Sequence, residues 1–201
     1  MNILTLTAYS PEYESIQRNT DRIASKFRGP QSHISIRYTP KPFSYPRAMR
    51  FGCDMALMMP DWEWLVMMDA DGIFVSMEKP PSTGFGACHR YTQRLWEPES
   101  ELLTHEDHWT PSSYFILSRE LVEKRWCRYS HLFEGYGWDD FDFFYNVLEP
   151  NGISFGETDA KAIHVHHAPC RTEVNPKNRE IFSERYIHFH PGAITVPTIL
   201  L

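Results

Sequence analysis

The chain has 201 residues, of which 42% are hydrophobic and 23% charged, and its net charge is −6. This balance supports a core of ordinary size, which excludes a disordered tail, a fibre and a low-complexity linker. The acidic excess argues against non-specific coating of nucleic acid. No apolar run approaches the roughly 20 residues of a membrane-spanning helix, and no basic leader precedes the first apolar segment. Four cysteines without CxxC spacing favour a reduced protein, so we expect a cytoplasmic location.

The first half of the chain alternates predicted strands and helices. Alternating polarity and one continuous apolar run predict strands at residues 2–7, 33–38 and 64–68. Helices are predicted to start at Ser10-Pro11 and to span residues 47–59. The first helix is expected to bury Ile16, Ile23 and Phe27. This order predicts an α/β fold with a mixed, mostly parallel central sheet and helices on both faces, in which ligands bind beyond the C-terminal ends of the strands.

The second half of the chain has a more mixed pattern. Strands are predicted at residues 84–90, 113–117 and 162–166. Helices are predicted at residues 118–126 and 139–148. Since no internal repeat and no linker separates the two halves, we expect residues 1–201 to form a single domain.

Two carboxylates follow the central apolar strand. Asp69 and Asp71 are one residue apart and precede Gly72. Alternate residues of an extended chain point the same way, so both carboxylates can address one ligand. Their oxygens suit Mg²⁺ or Mn²⁺, which usually shares its ligand shell with substrate phosphates. The alternative is a turn with solvated carboxylates, and position alone favours neither interpretation.

The segment GYGWDDFD, residues 135–142, combines glycines, aromatics and acids. The glycines allow backbone to approach a ligand closely, and Tyr136 and Trp138 can present flat faces to a sugar ring. Asp139 and Asp140 open a predicted helix, where the helix dipole favours acids and lowers their pKa. They are therefore either capping residues, or one of them is a general base.

His164 and His166 share one face of the strand predicted at residues 162–166. Two imidazoles at this spacing are typical of metal ligands, although a lone histidine is more often a structural core residue. The acids described above are the partners that such a metal site requires.

In this order, four segments resemble those of GT-A-fold, nucleotide-sugar-dependent glycosyltransferases, both of the family-two type and of the C-terminal region of the β-1,4-galactosyltransferases. WLVMMDADGIF resembles their metal-binding DxD strand, and SSYFILSRELVEK the strand and helix before the acceptor motif. FEGYGWDDFDFFYNV resembles the acceptor motif, and AIHVHHAPCRTEVNPKNREIF the closing segment with a metal-binding histidine. The likeness covers about residues 45–182. For a transferase of this size we expect the cytoplasm of a bacterium or of a virus-infected host. Trp138 departs from the family's second glycine, which implies a tighter acceptor pocket.

The resemblance implies a GT-A catalytic domain with a nucleotide-sugar-binding half at residues 1–76 and an acceptor-binding half at 77–201. It assigns the metal to Asp69, Asp71 and His166, with His164 as the alternative ligand. Asp69 contacts either the metal or the nucleotide ribose.

For the chemistry, the resemblance makes Asp140 the catalytic base and Asp139 its partner on the acceptor hydroxyl. The acceptor is expected to contact Tyr136, Gly137 and Trp138.

For the donor, the resemblance assigns the nucleotide to Thr5, Thr7 and Tyr9. Arg47 and Arg50 match the region that braces the donor, although a solvated helix face explains these two arginines nearly as well.

The implied activity is a hexosyltransferase reaction, dependent on Mn²⁺ or Mg²⁺. A sugar moves from a nucleotide diphosphate sugar, expected to be a UDP-sugar, to an acceptor hydroxyl with inversion. The acceptor stays open among a glycan, a lipid-linked sugar, a protein hydroxyl and a hydroxymethylated DNA base.

Two other function classes compete with this interpretation. His105 and Asp107 form an HxD pair that, with His164, matches the iron ligands of 2-oxoglutarate oxygenases, and Arg171 could bind the oxoacid. Against this, His105 lies in a polar segment, and a βαβ opening does not suit a jelly roll. The aromatics would also serve a non-catalytic sugar-binding module, but such a module does not need two acidic motifs.

Overall fold

The computed structural model describes residues 1–24, 32–93, 103–104, 114–135, 137–165 and 175–190. The strands are β1 (Ile3–Tyr9), β2 (Ser32–Arg37), β3 (Trp64–Asp69), β4 (Gly72–Ser76), β5 (Phe85–Ala87), β6 (His89–Gln93), β7 (Leu103–Thr104), β8 (Phe115–Ser118) and β9 (Lys161–Val165). The helices are α1 (Glu14–Ala24), α2 (Tyr45–Leu57), α3 (Arg119–Glu123), α4 (Asp139–Asp142) and α5 (Pro176–Phe189). A 3₁₀ turn precedes α1, and a π-helical turn, Phe143–Leu148, continues α4.

The predicted α/β class with a mixed central sheet is confirmed. Five strands form this sheet in the order β2-β1-β3-β8-β5, and β3 lies at its centre as its unbroken apolar run predicts. Within this sheet, β2, β1 and β3 pair in parallel, whereas β8 and β5 join antiparallel. The sequence does not predict the second sheet, in the order β4-β9-β6-β7.

The central sheet buries both of its faces. On one face, Leu6, Leu65 and Phe115 pack with α2 and the π-helical turn in the main core. On the other face, Val66 and Met68 pack against residues of the second sheet. The sheet is therefore a rigid platform, and its C-terminal strand ends are the edge from which side chains can reach a ligand.

Helix α1 follows the predicted β1 strand, but its buried face differs from the prediction. Its buried residues are Gln17, Thr20 and Ala24, whereas Ile16 and Ile23 are only partly buried. Ala24 packs on β4 and β9 rather than on the central sheet. A small residue, Ala24, therefore fits the contact between α1 and the second sheet. The spacing of the large apolar residues predicts the wrong buried face for this helix. Phe27 lies outside the described residues.

Helix α2 begins two residues before the predicted start. Its N-cap is Ser44, whose hydroxyl accepts a hydrogen bond from the Arg47 amide at 3.3 Å, and Pro46 occupies the first turn. This is the usual chemistry of a helix start, because a hydroxyl satisfies an amide that has no partner in the helix.

Helix α5 is not predicted from the sequence. It starts at the N-cap Asn175, whose side chain accepts from the Lys177 amide, and buries only Asn178 and Phe182. With one polar and one aromatic residue buried, it has no continuous apolar face for a periodicity argument to detect. Among the described residues, no helix is long and apolar enough to cross a membrane.

Candidate active site

The edge of the sheet where β1 and β3 end carries the first two acids. Asp69 is the last residue of β3 and pairs with Ala8 of β1, and Asp71 lies in the turn to β4. Both are only partly exposed. The β3–β4 turn therefore presents both carboxylates at the C-terminal end of the central strand.

Asp71 is held by groups from two other strands. The Tyr114 hydroxyl, just before β8, donates to Oδ1 of Asp71 at 3.2 Å, and Nε2 of His164 on β9 lies 3.1 Å from Oδ2. The backbone supports this contact, because the Val165 amide donates to the Asp71 carbonyl at 2.8 Å. Burial, together with the charges of Asp71 and Asp69, raises the pKa of Tyr114, so its phenol stays protonated as a hydrogen-bond donor.

Gly72 leaves no room for a side chain beside this cluster. A Cβ at this position would lie 2.8 Å from the Cβ of Met68 and 2.8 Å from Cε1 of Tyr114. The absence of a side chain allows the Tyr114 ring to lie over the turn and reach Asp71.

The second acidic motif starts with three left-handed residues. Gly135, Gly137 and Trp138 have φ values of 71°, 96° and 71°. Trp138 is the N-cap of α4, in a conformation that glycine adopts far more readily than other residues. This is the position where the resembling family has glycine, so the substitution keeps the turn and adds backbone strain.

The Trp138 side chain is engaged within the protein. Its ring centroid lies 5.3 Å from that of Phe182 and 5.7 Å from that of Phe141, and the Arg179 guanidinium lies 5.7 Å from the ring. These contacts stabilise the strained turn against α5. Its assignment to acceptor binding, like that of Gly137, stays a prediction.

The start of α5 holds the loop that leads into α4. The Asn178 side-chain amide donates to the carbonyls of Glu134 at 2.9 Å and Gly137 at 3.0 Å. Asn175 adds a bond to the Glu134 carbonyl at 3.0 Å. Two asparagines therefore fix the backbone on either side of residue 136. The sequence does not predict this role, because it does not predict α5.

Helix α2 holds the same loop from the other side. Arg47 donates to the His131 carbonyl at 3.0 Å and pairs with Glu134 at 3.2 Å, and Arg50 donates to the Tyr129 carbonyl at 2.8 Å. The two arginines thus brace the segment before α4, and neither forms a merely solvated helix face. Their assignment to donor binding stays a prediction.

Asp140 is partly exposed at the start of α4. Its Oδ1 accepts a 2.8 Å hydrogen bond from the Tyr129 hydroxyl. Burial raises the pKa of Asp140 well above its ordinary value, and the charges of Asp139 and Asp69 raise it further. The expectation of a lowered pKa from the helix dipole is therefore wrong, because desolvation of the carboxyl outweighs the field of the helix.

Asp139 is buried, with 9% of its surface exposed. Burial raises the pKa of Asp139 to about 6, and Asp142 adds to the rise, while hydrogen bonds from the backbone amides of Asp139 and Gly137 oppose it. Its protonation therefore changes close to neutral pH.

The two acidic motifs share one site. They lie some 70 positions apart in the sequence, yet Asp69 is close enough for its charge to raise the pKa of Asp140. Tyr45, the first residue of α2, senses the charges of Asp69, Asp140 and Asp139. Tyr45, Tyr114 and Tyr129 are site residues that the sequence does not single out. Of the three, only Tyr114 lies in a segment, SSYFILS, that the sequence analysis compares with the resembling family.

The N-terminal residues assigned to the nucleotide differ in exposure. Thr5 and Thr7 are buried, and their hydroxyls lie 2.7 Å and 3.4 Å from the two ring nitrogens of His33 on β2. They therefore connect β1 to β2, while Tyr9, at the end of β1, is partly exposed. Nucleotide contact by these three residues stays a prediction.

The donor set for a metal is partial within the described residues. Asp71 and His164 supply a carboxylate oxygen and an imidazole nitrogen side by side, and both are donors to divalent first-row metals. No group of three or more His, Cys, Asp or Glu side chains that could hold a metal is found in that part of the chain. His166 and Tyr136 lie outside it, as do His105, Asp107 and Arg171 of the oxygenase hypothesis.

Comparison with known proteins supports the fold through structure alone. Neither a protein-family model nor a curated protein matches the sequence. The catalytic domain of Drosophila β1,4-galactosyltransferase 7, crystallised with xylobiose, is 15% identical, with a TM-score of 0.57 over 90% of this chain and 79% of that chain. A variant of that enzyme, crystallised with manganese, UDP-Gal and xylobiose, has a TM-score of 0.55 over the same shares at 15% identity.

A third structure extends the likeness to another transferase. GalNAc-T7, crystallised with UDP, GalNAc and Mn²⁺, is 10% identical, with a TM-score of 0.54 over 94% of this chain and 47% of that chain. The chain therefore has a GT-A-like fold, as its sequence motifs predict.

Proposed function

We propose that this protein is a metal-dependent glycosyltransferase, in which residues 1–76 bind a UDP-sugar and residues 77–201 bind an acceptor hydroxyl. The observation that carries the proposal is the convergence of the DxD turn and the α4 acids in one site at the C-terminal edge of a GT-A-like sheet. The similarity to enzymes crystallised with UDP-Gal or UDP supports the choice of nucleotide.

In this proposal, Asp71 and His164 hold a Mn²⁺ or Mg²⁺ ion, and Asp69 contacts the ion or the ribose. Bound there, the metal would stabilise the negative charge that the diphosphate gains as it leaves. Remaining ligands come from the donor phosphates, as is usual for these ions, or from His166.

Asp140 has the properties of a general base. A raised pKa makes an ionised carboxylate a stronger proton acceptor near neutral pH, and the Tyr129 hydrogen bond holds its orientation. Asp140 takes the proton of the acceptor hydroxyl, whose oxygen forms a bond to the anomeric carbon. The bond from that carbon to the diphosphate breaks, and the nucleoside diphosphate leaves with the electron pair. Attack opposite the leaving group inverts the configuration.

The test begins with binding of a panel of nucleotide sugars to the wild-type protein in the presence of manganese. Asp71→Ala is expected to abolish metal-dependent UDP binding. Asp140→Asn is expected to retain that binding and to lower sugar transfer by about two to four orders of magnitude.

The matched control is Asp61→Asn, because Asp61 is exposed at the opposite end of β3 and asparagine tolerates its left-handed backbone. Unchanged turnover in Asp140→Asn would remove the base assignment. Binding that persists in Asp71→Ala would move the metal site elsewhere. A glycan, a lipid-linked sugar, a protein hydroxyl and a hydroxymethylated DNA base are then compared as acceptors in the same assay.

A further inference from the structure

Tyr45 carries a buried hydroxyl that is not satisfied. The residue is 8% exposed, and its hydroxyl oxygen is buried without a hydrogen-bond partner among the described residues. Leaving a buried hydroxyl unpaired costs about 1–3 kcal/mol. A buried polar group of this kind requires an explanation, and a bound water, ion or ligand that pairs with it is one.

The backbone of Tyr45 is fixed to the segment that carries the proposed base. Ser44, directly before it, donates from its hydroxyl to the Phe133 carbonyl at 2.8 Å and forms a parallel bridge with Gly135. The Gly135 amide in turn donates to the Phe43 carbonyl at 2.7 Å. These hydrogen bonds therefore fix the position of the start of α2 relative to the loop that leads into α4.

The Tyr45 ring lies against the residue that orients Asp140. Its centroid is 5.9 Å from that of Tyr129, with the planes at 88°, and the Tyr129 hydroxyl donates to Asp140 at 2.8 Å. The two phenols are thus neighbours, and within the described part of the chain only the Tyr129 hydroxyl has a hydrogen-bond partner.

The electrostatic surroundings decide which ligand atom fits. Burial raises the pKa of Tyr45, and the charges of Asp69 and Asp140 add to the rise, so its hydroxyl remains a protonated donor. A phosphate oxygen only accepts hydrogen bonds and would be repelled by these carboxylates. A sugar hydroxyl can accept from the phenol and donate to a carboxylate at the same time. Asp69, which the proposed function places beside the donor, is among the carboxylates whose charge reaches Tyr45, so the donor's sugar is favoured over the acceptor's.

We propose that the Tyr45 hydroxyl donates a hydrogen bond to a hydroxyl of the transferred sugar, which makes Tyr45 a determinant of donor-sugar binding. This inference rests on the proposed function. It adds a contact to the sugar itself, separate from the contacts to the nucleotide and the diphosphate.

Tyr45→Phe tests it, because the substitution keeps the ring and removes only the hydroxyl. Calorimetry in manganese is expected to give the wild-type affinity for UDP, and an affinity for the UDP-sugar about 3- to 10-fold lower than that of the wild type. Thermal unfolding of the free variant is expected at or above the wild-type temperature, since no hydrogen bond is lost. Tyr186→Phe on α5, whose ring stacks on His190, is the matched control.

The outcomes separate the two hypotheses. If the wild type binds no nucleotide sugar, the proposed function is wrong, and this inference is wrong with it. If the wild type binds a UDP-sugar and Tyr45→Phe binds it equally well, only this inference is wrong. An equal loss of affinity for UDP and for the UDP-sugar also overturns it, because the contact would then be to the nucleotide or the diphosphate.

Discussion

The Tyr129 hydroxyl donates a 2.8 Å hydrogen bond to Oδ1 of Asp140, and this bond lowers the pKa of a carboxyl that burial and two neighbouring acids raise. The Tyr129 ring is itself stacked on Phe143 at 4.4 Å between centroids, so the donor is rigid. Because a buried carboxylate is a base only when it is ionised, Tyr129 opposes burial and widens the pH range in which Asp140 can accept a proton.

Tyr129→Phe should move the acidic limb of the pH–rate profile for sugar transfer. Loss of a hydrogen bond to a charged group costs about 1.5–3 kcal/mol. Without the Tyr129 bond, which lowers it, the pKa of Asp140 should rise further. Turnover should therefore fall most at acidic pH and recover as pH rises. Tyr145→Phe, on the π-helical turn, is the control, and a profile identical to that of the wild type would contradict the role of Tyr129.

Asp139→Asn should stabilise the protein at neutral pH. The pKa of Asp139 is about 6 in the folded protein against an ordinary value of 3.8, so the folded state binds the proton more tightly. The associated stability is fully present below about pH 4 and is lost as pH rises through about 6. At about pH 7.5, the variant should exceed the wild type by on the order of 2–3 kcal/mol in free energy of unfolding.

Denaturant unfolding of both proteins at acidic and neutral pH measures this difference. The gap should close at acidic pH, where the wild-type carboxyl is protonated. A gap that is constant across the pH range would show that another property of asparagine is responsible.

The left-handed backbone of Trp138 can be separated from its side-chain packing by comparing Trp138→Gly with Trp138→Ala. Both variants lose the contacts to Phe141 and Phe182, but only alanine keeps the backbone strain at a φ of 71°. The glycine variant should be more stable than the alanine variant by about 1 kcal/mol. Thermal or denaturant unfolding gives the comparison, and equal stabilities would mean that the turn relaxes without strain.

Gly72→Ala should disturb the Asp71 cluster. The new Cβ would overlap Met68 and the Tyr114 ring, and overpacking of this kind costs about 1–3 kcal/mol. Displacement of Tyr114 removes its hydrogen bond to Asp71, so metal-dependent UDP binding should weaken as stability falls. Gly152→Ala is the control for a loss of stability alone, because its φ of 75° strains an alanine while the added Cβ has no atom within 4 Å. Metal-dependent UDP binding should not change in that variant.

His164→Ala and His166→Ala compare the two candidate metal ligands. His164 is the histidine seen beside Asp71, at 3.1 Å, so its removal should lower manganese-dependent UDP affinity by about 10- to 100-fold. Calorimetry with and without manganese measures the change. A loss confined to His166→Ala would return the ligand to the histidine favoured by the sequence resemblance.

Several elements of the site are predictable from local sequence. An unbroken apolar run predicts the central β3 strand, and the two acids that follow it necessarily lie at its C-terminal end. The family resemblance of four ordered segments predicts the GT-A-like fold, which the structural matches confirm. Trp138 departs from the family's glycine, but that departure alone does not predict the left-handed turn that the structure shows there.

Tertiary structure decides the rest, because the deciding contacts join residues far apart in the chain. The amino-acid order by itself determined the α/β class, the place of Asp69 and Asp71, and the helix start at Asp139. Only the fold decided that His164 lies beside Asp71 and that Tyr129 donates to Asp140. It also decided that α5 holds the loop that leads into α4. Local periodicity predicts which face of an element is apolar. The pKa of a carboxyl depends instead on its burial and on charges from residues far away in the sequence, which periodicity does not reveal. For this reason the acids at the start of α4 were predicted with the opposite shift.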